Sequence, residues 1–520
     1  MNLDRHISMP QITWIVGTLL GLAMAVFLGS AIGGQEFARV ALVLGAFIGV
    51  GTFLALGKNY WLLIPLSLGA SFPAIPLGGR AIEFPELAIA GCAVMFAARI
   101  ATRKEKLVVF RSVNVPILLF VAWVGMVFAL YPVGFAMLGS AQGGGRFYLK
   151  LGLAFAAFLI MSSRTYSERD IKWIFAFLIF GAVFTLIYDF TNVVLGGPNI
   201  DPTTGMVQEE FYTWHQALSG PAMTIVYLMC AKWSPREIWS LQRPWLVVVY
   251  AMCFVLVLMS GKRMALVAVV LAPIVSAVMF RQYIYIVVAL MLALAASGAL
   301  VAGQGQWLNL PLVAQRTLSW LPGDWDPELQ GMTGGSDEWR AELRFMATEL
   351  IKQYPLIGRG FAVDIGDTTT AAMMAQRGGG MDIQVAAYAL GRAWHNTWVG
   401  YAADFGIPLS VIQLIVYLWV AVLSIKVFRH YGNSSVFGVF ALYLLIFTIR
   451  DLAASHTSGH TAFDAWTRWW TYGVLVSLYT TLPKTKKVTP AKSLTRGPRG
   501  PLASEPALMP AARRSFSPAP

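Results

Sequence analysis

Apolar runs near the length of a membrane span recur along almost the whole chain, and they constrain its fold more than any other feature. They extend from Gln11 to Leu482 with short polar breaks between them. About 20 mainly apolar residues cross a bilayer as a helix, whereas barrel strands need only about 10 alternating residues. Because 57% of the 520 residues are hydrophobic and 12% are charged, the composition is not that of a soluble domain. The pattern predicts an all-α, polytopic transmembrane bundle of about 12 to 14 spans.

The placement of these runs divides the chain into four predicted parts. Residues 1–303 would hold transmembrane helices 1 to 11, beginning with a retained first span, and residues 304–394 would form one long loop. Residues 395–483 would hold the C-terminal transmembrane helices. Residues 484–520 are rich in Pro, Ala, Ser and basic residues and have no apolar period, which predicts a disordered basic tail.

The charges of the loops predict the orientation. Loops such as "ATRKEKLVVFR" and "KTKK" are basic and fall on one side, which the positive-inside rule makes cytoplasmic. In residues 304–394 the acidic residues outnumber the basic ones ten to seven, so this loop and its partly helical segment are predicted to be periplasmic, with both termini cytoplasmic. The net charge of +13 therefore reports topology and does not indicate nucleic-acid binding. The three cysteines lie in apolar runs and imply no disulfide framework.

One helix is predicted inside the long loop. From a capping Ser336, apolar and aromatic residues recur at helical spacing, at Trp339, Leu343, Met346, Leu350 and Tyr354. This spacing predicts an amphipathic helix. Arg340 and Arg344, four residues apart, would project together from a neighbouring face. Pro355 and the glycines of "GRGF" would end the helix and turn the chain.

The next span opens in an unusual way. In "WHNTWVGYAADFGIPLSV" it begins on His395 and Asn396, contains Asp404, and is interrupted at Gly406. Polar groups and helix breaks are costly in lipid, so they need protein partners or a function. A histidine between two tryptophans could also belong to an interfacial aromatic belt. Asp404 lies about 13 Å from His395 if the segment is helical, on roughly the opposite face, and is expected to support helix packing.

These two segments together carry a family resemblance. "WRAELRFMATELIKQYPLIGRGF" followed by "HNTWVGYAADFGIPL" resembles the O-antigen ligase and O-antigen polymerase family, which are bacterial polytopic glycosyltransferases. In that pattern an arginine-bearing helix leads to a proline and a Gly-x-Gly turn, and a His-Asn pair begins the next helix. The resemblance implies a GT-C-like architecture in the bacterial inner membrane.

The resemblance also implies substrates. The donor would be an undecaprenyl-diphosphate-linked glycan, and the acceptor a hydroxyl of a glycan or of a lipid core, at the periplasmic face. Membrane lipids surround the protein, a chain-length regulator is a candidate partner, and no cofactor or metal is implied. The residues do not separate a polymerase from a ligase, and we lean slightly towards polymerase or exopolysaccharide assembly.

Site residues follow from the same resemblance. His395 is implied as the general base, since histidine ordinarily titrates near neutral pH. Arginines bind diphosphate oxygens with fixed bidentate geometry, a role implied for Arg263, Arg340 and Arg344. Asn396 would orient the histidine ring or a sugar.

Three further residues are weaker candidates. "LMSGKRMALV" places Lys262 beside Arg263 at the predicted periplasmic end, against the usual charge bias, although the family pattern has serine at that position. Arg146 in "GGGRFYLK" is another basic residue predicted on that side. His215 in "FYTWHQALSGP" is the rival to His395 as base.

Two metal sites and one different function were also considered. His456, His460 and Asp464 could share a metal, but Gly459 disfavours the helix this needs. Acidic residues in "GDWDPE" could bind a divalent cation, although a polar turn explains them as well. A transporter or flippase for a lipid-linked glycan would also have broken helices, but it should show a repeated half-chain, which this sequence lacks.

Overall fold

The structure is a computed structural model, and it describes most of the chain from residue 51 to residue 483. The described ranges are 51–53, 55–69, 75–77, 80–108, 111–133, 145–194, 217–361, 389, 394–456 and 461–483. The predicted first span, most of the predicted second span, the tail 484–520, His215 and His460 lie outside them. The described helices up to Thr480 belong to one compact unit.

Helices make up almost all of the described structure. In chain order they are α1 Leu63–Gly69, α2 Phe84–Ala101, α3 Val115–Leu130, α4 Gly145–Ser162, α5 Glu168–Val194, α6 Ser219–Lys232, α7 Pro235–Ile238, α8 Pro244–Leu258, α9 Arg263–Met279, α10 Ile284–Gly303, α11 Leu312–Leu318, α12 Pro327–Gln353, α13 Thr397–Phe405, α14 Ile407–Tyr431, α15 Val436–Ala454 and α16 Thr461–Thr480. Short 3₁₀ turns at Gly57–Leu62 and Ser112–Asn114 precede α1 and α3. The predicted all-α fold is confirmed.

The apolar run over residues 60–78 is one of the spans that the sequence predicts, and the structure corrects this prediction, because residues 60–78 are not one continuous helix. There α1 is only seven residues long, too short to cross a bilayer. Two three-residue strands follow, β1 Ile75–Leu77 and β2 Arg80–Ile82, paired antiparallel with Ile75 opposite Ile82. Within the described residues, Pro76 lies in β1, and a proline there cannot donate the backbone hydrogen bond of a helix.

Several helices have the length and apolar composition of membrane spans. Within the described residues they are Phe84–Ala101, Ser112–Leu130, Gly145–Ser162, Glu168–Tyr188, Ile284–Gly303, Ile407–Tyr431 and Val436–Ala454. Helices α8 and α9 are shorter and also apolar. Against the rest of the described chain α10 buries only Gly303, so its apolar side chains face the surroundings, as lipid-facing side chains do. The chain is a multi-pass membrane protein.

The centre of the bundle is built on α4 and α16, which pack closely along their lengths. Gly473 allows this approach, because a Cβ there would lie 2.6 Å from the carbonyl oxygen of Phe158. Small residues let helix backbones approach in this way. The ring of Phe120 on α3 packs edge-on against Trp469 and Tyr401, with centroids 5.0 and 5.6 Å away, and so joins α13 to this core.

A charged cluster ties the opposite end of the bundle together. Glu105 accepts hydrogen bonds from Arg99 Nε at 3.0 Å, Arg164 Nη1 at 2.8 Å and the Tyr60 hydroxyl at 2.8 Å. The Arg164 guanidinium also lies 5.4 Å from the ring of Trp61, a cation–π distance. The basic loop after α2 therefore holds helix ends together.

Candidate functional site

The span that opens at His395 consists of two helices, α13 and α14, which are divided at the interruption predicted from Gly406. Gly406, with φ of +83°, separates α13 from α14. A side chain at Gly406 would overlap the backbone of Leu356, and Ile407 N donates to the Pro355 carbonyl at 2.9 Å. Helix α13 lies alongside the first part of α14, where the Ser410 hydroxyl donates to the Trp398 carbonyl at 2.8 Å. Glycine at the break and proline in the first turn of α14 explain why the span divides here.

Backbone hydrogen bonds fix the position of His395. The Asn396 side chain caps α13 by accepting from Val399 N at 3.1 Å, and its Nδ2 donates to the His456 carbonyl at 3.3 Å. The next residue, Thr397, donates its N–H to the Ser455 carbonyl at 2.8 Å. Asn396 thus holds the backbone that carries His395, and its predicted contact with the histidine ring or a sugar stays a prediction. His395 is half-buried and has φ of +49°, an uncommon conformation for a residue with a side chain.

Asp404 stabilises α13 from within. It is fully buried, and its Oδ1 accepts a hydrogen bond from Trp394 Nε1 at 3.2 Å. Its backbone carbonyl accepts from Gly360 N at 2.6 Å. A buried carboxylate requires such donors. Asp404 therefore connects the residue before His395 to the far end of α13, as its expected packing role requires.

The helix of the long loop packs directly on α13. Leu343 and Ala347 of α12 form one buried cluster with Trp394 and Ala403. We call this the α12–α13 cluster. Met346 and Leu350, from the predicted apolar face, pack against it. Helix α12 begins at Pro327, earlier than predicted from Ser336.

The two predicted arginines lie on α12 beside this cluster. Arg340 is half-exposed and Arg344 is exposed. They lie three residues before and one residue after the buried Leu343, so the docking of α12 sets their position. The structure therefore brings both arginines onto the helix that covers the segment beginning at His395.

The turn after α12 packs against the C-terminal end of α13. Gly358 and Gly360 have φ of +66° and +63°, and a Cβ at Gly358 would overlap the backbone of Asp404. Phe361 is fully buried, with its ring 4.9 Å from that of Tyr148 and 5.0 Å from that of Phe405. Glycine is needed where the backbone is left-handed and closely packed. Arg359, which the sequence analysis did not single out, lies between these two glycines.

Arg263 and Lys262 lie at another helix start. Lys262 immediately precedes α9, and Arg263 is its first residue. Arg263 Nη2 donates to the Ser319 hydroxyl at 3.3 Å, just beyond α11. The Thr317 hydroxyl donates to the Leu258 carbonyl at 2.8 Å. Helix α11 is thus fastened over the junction of α8 and α9, and Arg263 contacts the segment that leads into α12.

Residues 248–414 match a family model described as O-antigen ligase. Over this segment the chain is similar to the O-antigen ligase family. The segment contains Arg263, Arg340, Arg344 and His395, and it runs from α8 into α14. No curated protein matches the chain. The match supports the predicted family and, with it, a membrane glycan ligase or polymerase in general.

Arg146 lies outside the O-antigen ligase segment and is paired within the protein. Arg146 Nε lies 3.1 Å from a Glu86 oxygen, and Arg146 Nη2 lies 3.4 Å from a Glu83 oxygen. Lys150 Nζ also contacts Glu83, at 2.7 Å. A diphosphate would compete with these carboxylates for Arg146, which makes it the weakest of the predicted ligands.

A charged cluster that the sequence analysis missed lies close to the O-antigen ligase segment. Asp451 is buried on α15 and contacts Arg450 Nη1 at 2.8 Å and Arg468 Nε at 2.9 Å. Arg468 Nη1 also donates to the Tyr417 hydroxyl at 2.8 Å. Charges buried at membrane depth are normally paired in this way. Asp451 lies one turn before Ser455, the residue that anchors α13.

The sequence contains only a weak indication of this charged cluster. The mixed polar composition of "RDLAASHTSGHTAFDAWTR" predicts a loop between two spans, whereas the structure places Arg450 and Asp451 inside α15 and Arg468 inside α16. Charges at span ends usually lie at the interface, so sequence alone does not reveal that these three meet.

Each alternative metal site lies partly outside what the structure describes: His460 lies outside the described residues, and nothing is described of the side chains of Asp464 and Glu328. No group of three or more His, Cys, Asp or Glu side chains is placed within the described residues to hold a metal ion. His456 is exposed, and its backbone carbonyl serves Asn396. In the acidic turn, Asp326 N donates a hydrogen bond to Gln315 Oε1 of α11 at 3.1 Å.

Proposed function

We propose that this protein transfers a glycan from an undecaprenyl-diphosphate lipid to an acceptor hydroxyl at the periplasmic face of the inner membrane, as an O-antigen or exopolysaccharide polymerase or as an O-antigen ligase. The observation that carries the proposal is the α12–α13 cluster. It holds the helix bearing Arg340 and Arg344 against the segment that begins at His395. A base and diphosphate-binding cations are the two elements that this transfer needs.

In the proposed reaction His395 takes the proton of the acceptor hydroxyl. The acceptor oxygen forms a bond to the anomeric carbon of the donor glycan, and the bond from that carbon to the diphosphate oxygen breaks. The diphosphate leaves with the electron pair. Arg340, Arg344 and Arg263 stabilise its developing charge, because guanidinium groups bind such oxygens with planar, bidentate geometry.

The base assignment is tested by His395→Ala. Loss of general-base assistance should lower transfer by about 10² to 10⁴-fold, while the protein remains folded in the membrane. The matched control is His430→Ala, since His430 is exposed at the far end of α14. Full activity of His395→Ala at equal expression, together with an inactive His215→Ala, would refute the assignment.

Lysine substitutions test the arginines, because they keep the positive charge and remove the planar guanidinium group. Arg344→Lys and Arg263→Lys retain a cation but lose the planar fork, so transfer should fall. Lys352→Ala, on the exposed side of α12, and Arg429→Ala, exposed near the end of α14, should be tolerated. Equal losses in all four variants would mean that the effect is not specific to the site.

We infer that α12 is periplasmic and that both termini are cytoplasmic, as the basic loops favour. Cysteines introduced at Thr333 and Ser493 should label from opposite sides of the membrane. The three native cysteines are buried, so background labelling should be low. Labelling of both positions from one side would overturn this orientation.

A flippase for the same lipid-linked glycan is the second candidate, and the break between α13 and α14 is the observation that favours it. Purified protein in detergent has no membrane to translocate across. Formation of a longer or transferred glycan there supports the transferase, and the product also separates polymerase from ligase. Lipid scrambling in vesicles without any new glycosidic bond would favour the flippase.

A further inference from the structure

An apolar groove of about 520 Å³ lies where the ends of four helices, α5, α6, α8 and α15, come together. Its apolar walls include Phe175, Ile179, Ile225, Leu228 and Val439. Along α6 it extends from Ile225 to Lys232, the last residue of the helix, which is about 10 Å of helix. Because a hydrocarbon core is about 30 Å thick, the groove is confined to one leaflet of the membrane.

The groove opens at the membrane face opposite His395. Lys232 Nζ donates to the Asn433 carbonyl at 3.3 Å, and Asn433 Nδ2 donates to the Lys232 carbonyl at 3.2 Å. Asn433 lies just beyond the C-terminal end of α14, whose 25 residues extend over about 37 Å. The other end of α14 adjoins α13 and the candidate site. The groove is therefore separate from the site of glycan transfer, on the face that the positive-inside rule makes cytoplasmic.

Two lysines lie at the mouth of the groove. Lys172 is near the start of α5, Lys232 is at the end of α6, and both are exposed. Among the described residues no carboxylate pairs with Lys172. The ammonium group of Lys232 has three N–H donors and uses one of them on Asn433. Both cations are therefore able to bind an anion at this mouth.

The acidic residues near these lysines in the sequence do not neutralise the groove. Of the described residues that line it, none is acidic. Asp170 accepts from the Ser167 hydroxyl at 2.8 Å, and Glu237 accepts from the Ser234 hydroxyl at 3.0 Å. Glu168 is exposed at the start of α5 and does not line the groove. The mouth thus carries a net positive charge.

Two tryptophans place this mouth at the membrane boundary. Trp233 follows α6, Trp245 lies in the first turn of α8, and both line the groove. Their rings pack edge-on, with centroids 5.4 Å apart. Tryptophan is enriched at the membrane–water interface, at the level of the lipid head groups. The two lysines therefore lie near the depth at which lipid phosphates lie.

We propose that this groove binds an anionic phospholipid of the cytoplasmic leaflet. An acyl chain lies along the apolar wall between α5 and α6, and the phosphate contacts the ammonium groups of Lys172 and Lys232. Charge complementarity favours an anionic lipid over a zwitterionic one, because a zwitterionic head group carries its own cation and gains less from two lysines. The bound lipid joins α5 to α6 and, through Lys232 and Asn433, to the end of α14.

The double variant Lys172→Gln and Lys232→Gln tests the head-group contact. Native mass spectrometry of the detergent-solubilised protein measures binding of phosphatidylglycerol and of phosphatidylcholine. Phosphatidylglycerol should bind about fivefold more weakly for each lysine lost, or roughly 25-fold for both. Arg429→Gln is the matched control, since Arg429 is an exposed cation near the end of α14 outside the groove. Lysine-to-arginine changes at the two positions should keep most of the binding.

Equal binding of the two lipids by the parent protein would overturn the proposal, and so would a double variant that binds phosphatidylglycerol as tightly as Arg429→Gln does. The comparison of the two lipids on the parent needs no variant, so a poorly folded variant does not remove the test. None of these measurements depends on glycan transfer.

Ile179→Trp tests the acyl-chain contact without changing any charge, because a larger side chain fills the apolar part of the groove. It should weaken binding of phosphatidylglycerol, whereas Ile187→Trp, two turns further along α5 and 57% exposed, should not. Glycerol phosphate has the anionic group without the chains and should not compete. Full competition by glycerol phosphate, with no effect of Ile179→Trp, would assign the lysines to a soluble anion and overturn the proposal.

Discussion

Truncation of Leu343 tests whether the docking of α12 on α13 assembles the site. Leu343 is completely buried in the α12–α13 cluster. Leu343→Ala removes about three apolar carbons at roughly 0.8 kcal/mol each, and the residual cavity raises the cost to about 2–5 kcal/mol. Because the cluster consists of only a few residues, most of this cost reduces the free energy with which α12 docks on α13. A loss of about 3 kcal/mol shifts that equilibrium roughly a hundredfold, and transfer should fall with the docked population.

The assay combines transfer with a proximity measurement. Cysteines at Ala347 and Ala403, both buried in the cluster, should form a disulfide with each other under a small oxidant while the helices are docked, and Leu343→Ala should slow its formation. Joining the helices should then restore part of the transfer activity. Phe345→Ala is the matched control, since Phe345 is 61% exposed on the same helix. Parental activity and parental joining in Leu343→Ala would show that this cluster does not hold the site together.

Three further predictions concern the break, the buried charges and metals. Gly406→Ala places a side chain at φ of +83° against a neighbouring backbone, so monodisperse protein in detergent should be lost, whereas Gly298→Ala should be tolerated. Asp451→Asn leaves Arg450 and Arg468 without their shared carboxylate, which should lower the folding stability by about 3–5 kcal/mol. Thermal unfolding in detergent measures this loss, and an unchanged midpoint temperature would refute the importance of the charged cluster. Transfer should continue in chelator, and activity lost to chelator but restored by a divalent ion would contradict metal independence.

Much of the fold follows from the sequence because each signal is local. Runs of apolar residues predict spans without knowledge of their neighbours. The spacing of Leu343, Met346 and Leu350 predicts the apolar face of α12, which packs as expected. The motifs around Arg344 and His395 identify the family without any knowledge of the fold.

What the sequence did not reveal depends on long-range contacts. Helix α12 starts at Pro327 although the following residues include three glycines, which disfavour helix. In the sequence, Gly406 is equally compatible with a kink inside one span. Its contact with the turn after α12 shows that α13 is a helix separate from α14. The approach of Arg468 to Asp451 joins α16 to α15, and no local pattern encodes that contact.

The hydrogen-bond partners of the polar residues near His395 explain why the protein can hold such residues in this segment. The Asn396 amide is bonded to backbone at the start of α13 and at the end of α15, and the buried Asp404 carboxylate accepts from the Trp394 indole. These bonds offset the cost of polar groups at membrane depth. They also hold His395 at φ of +49°, and an unfavourable backbone persists only where its surroundings determine it. An aromatic belt would not need such a backbone, because interfacial side chains are held by the water boundary itself. The arrangement therefore favours a histidine placed for chemistry, at the start of the helix that packs against α12.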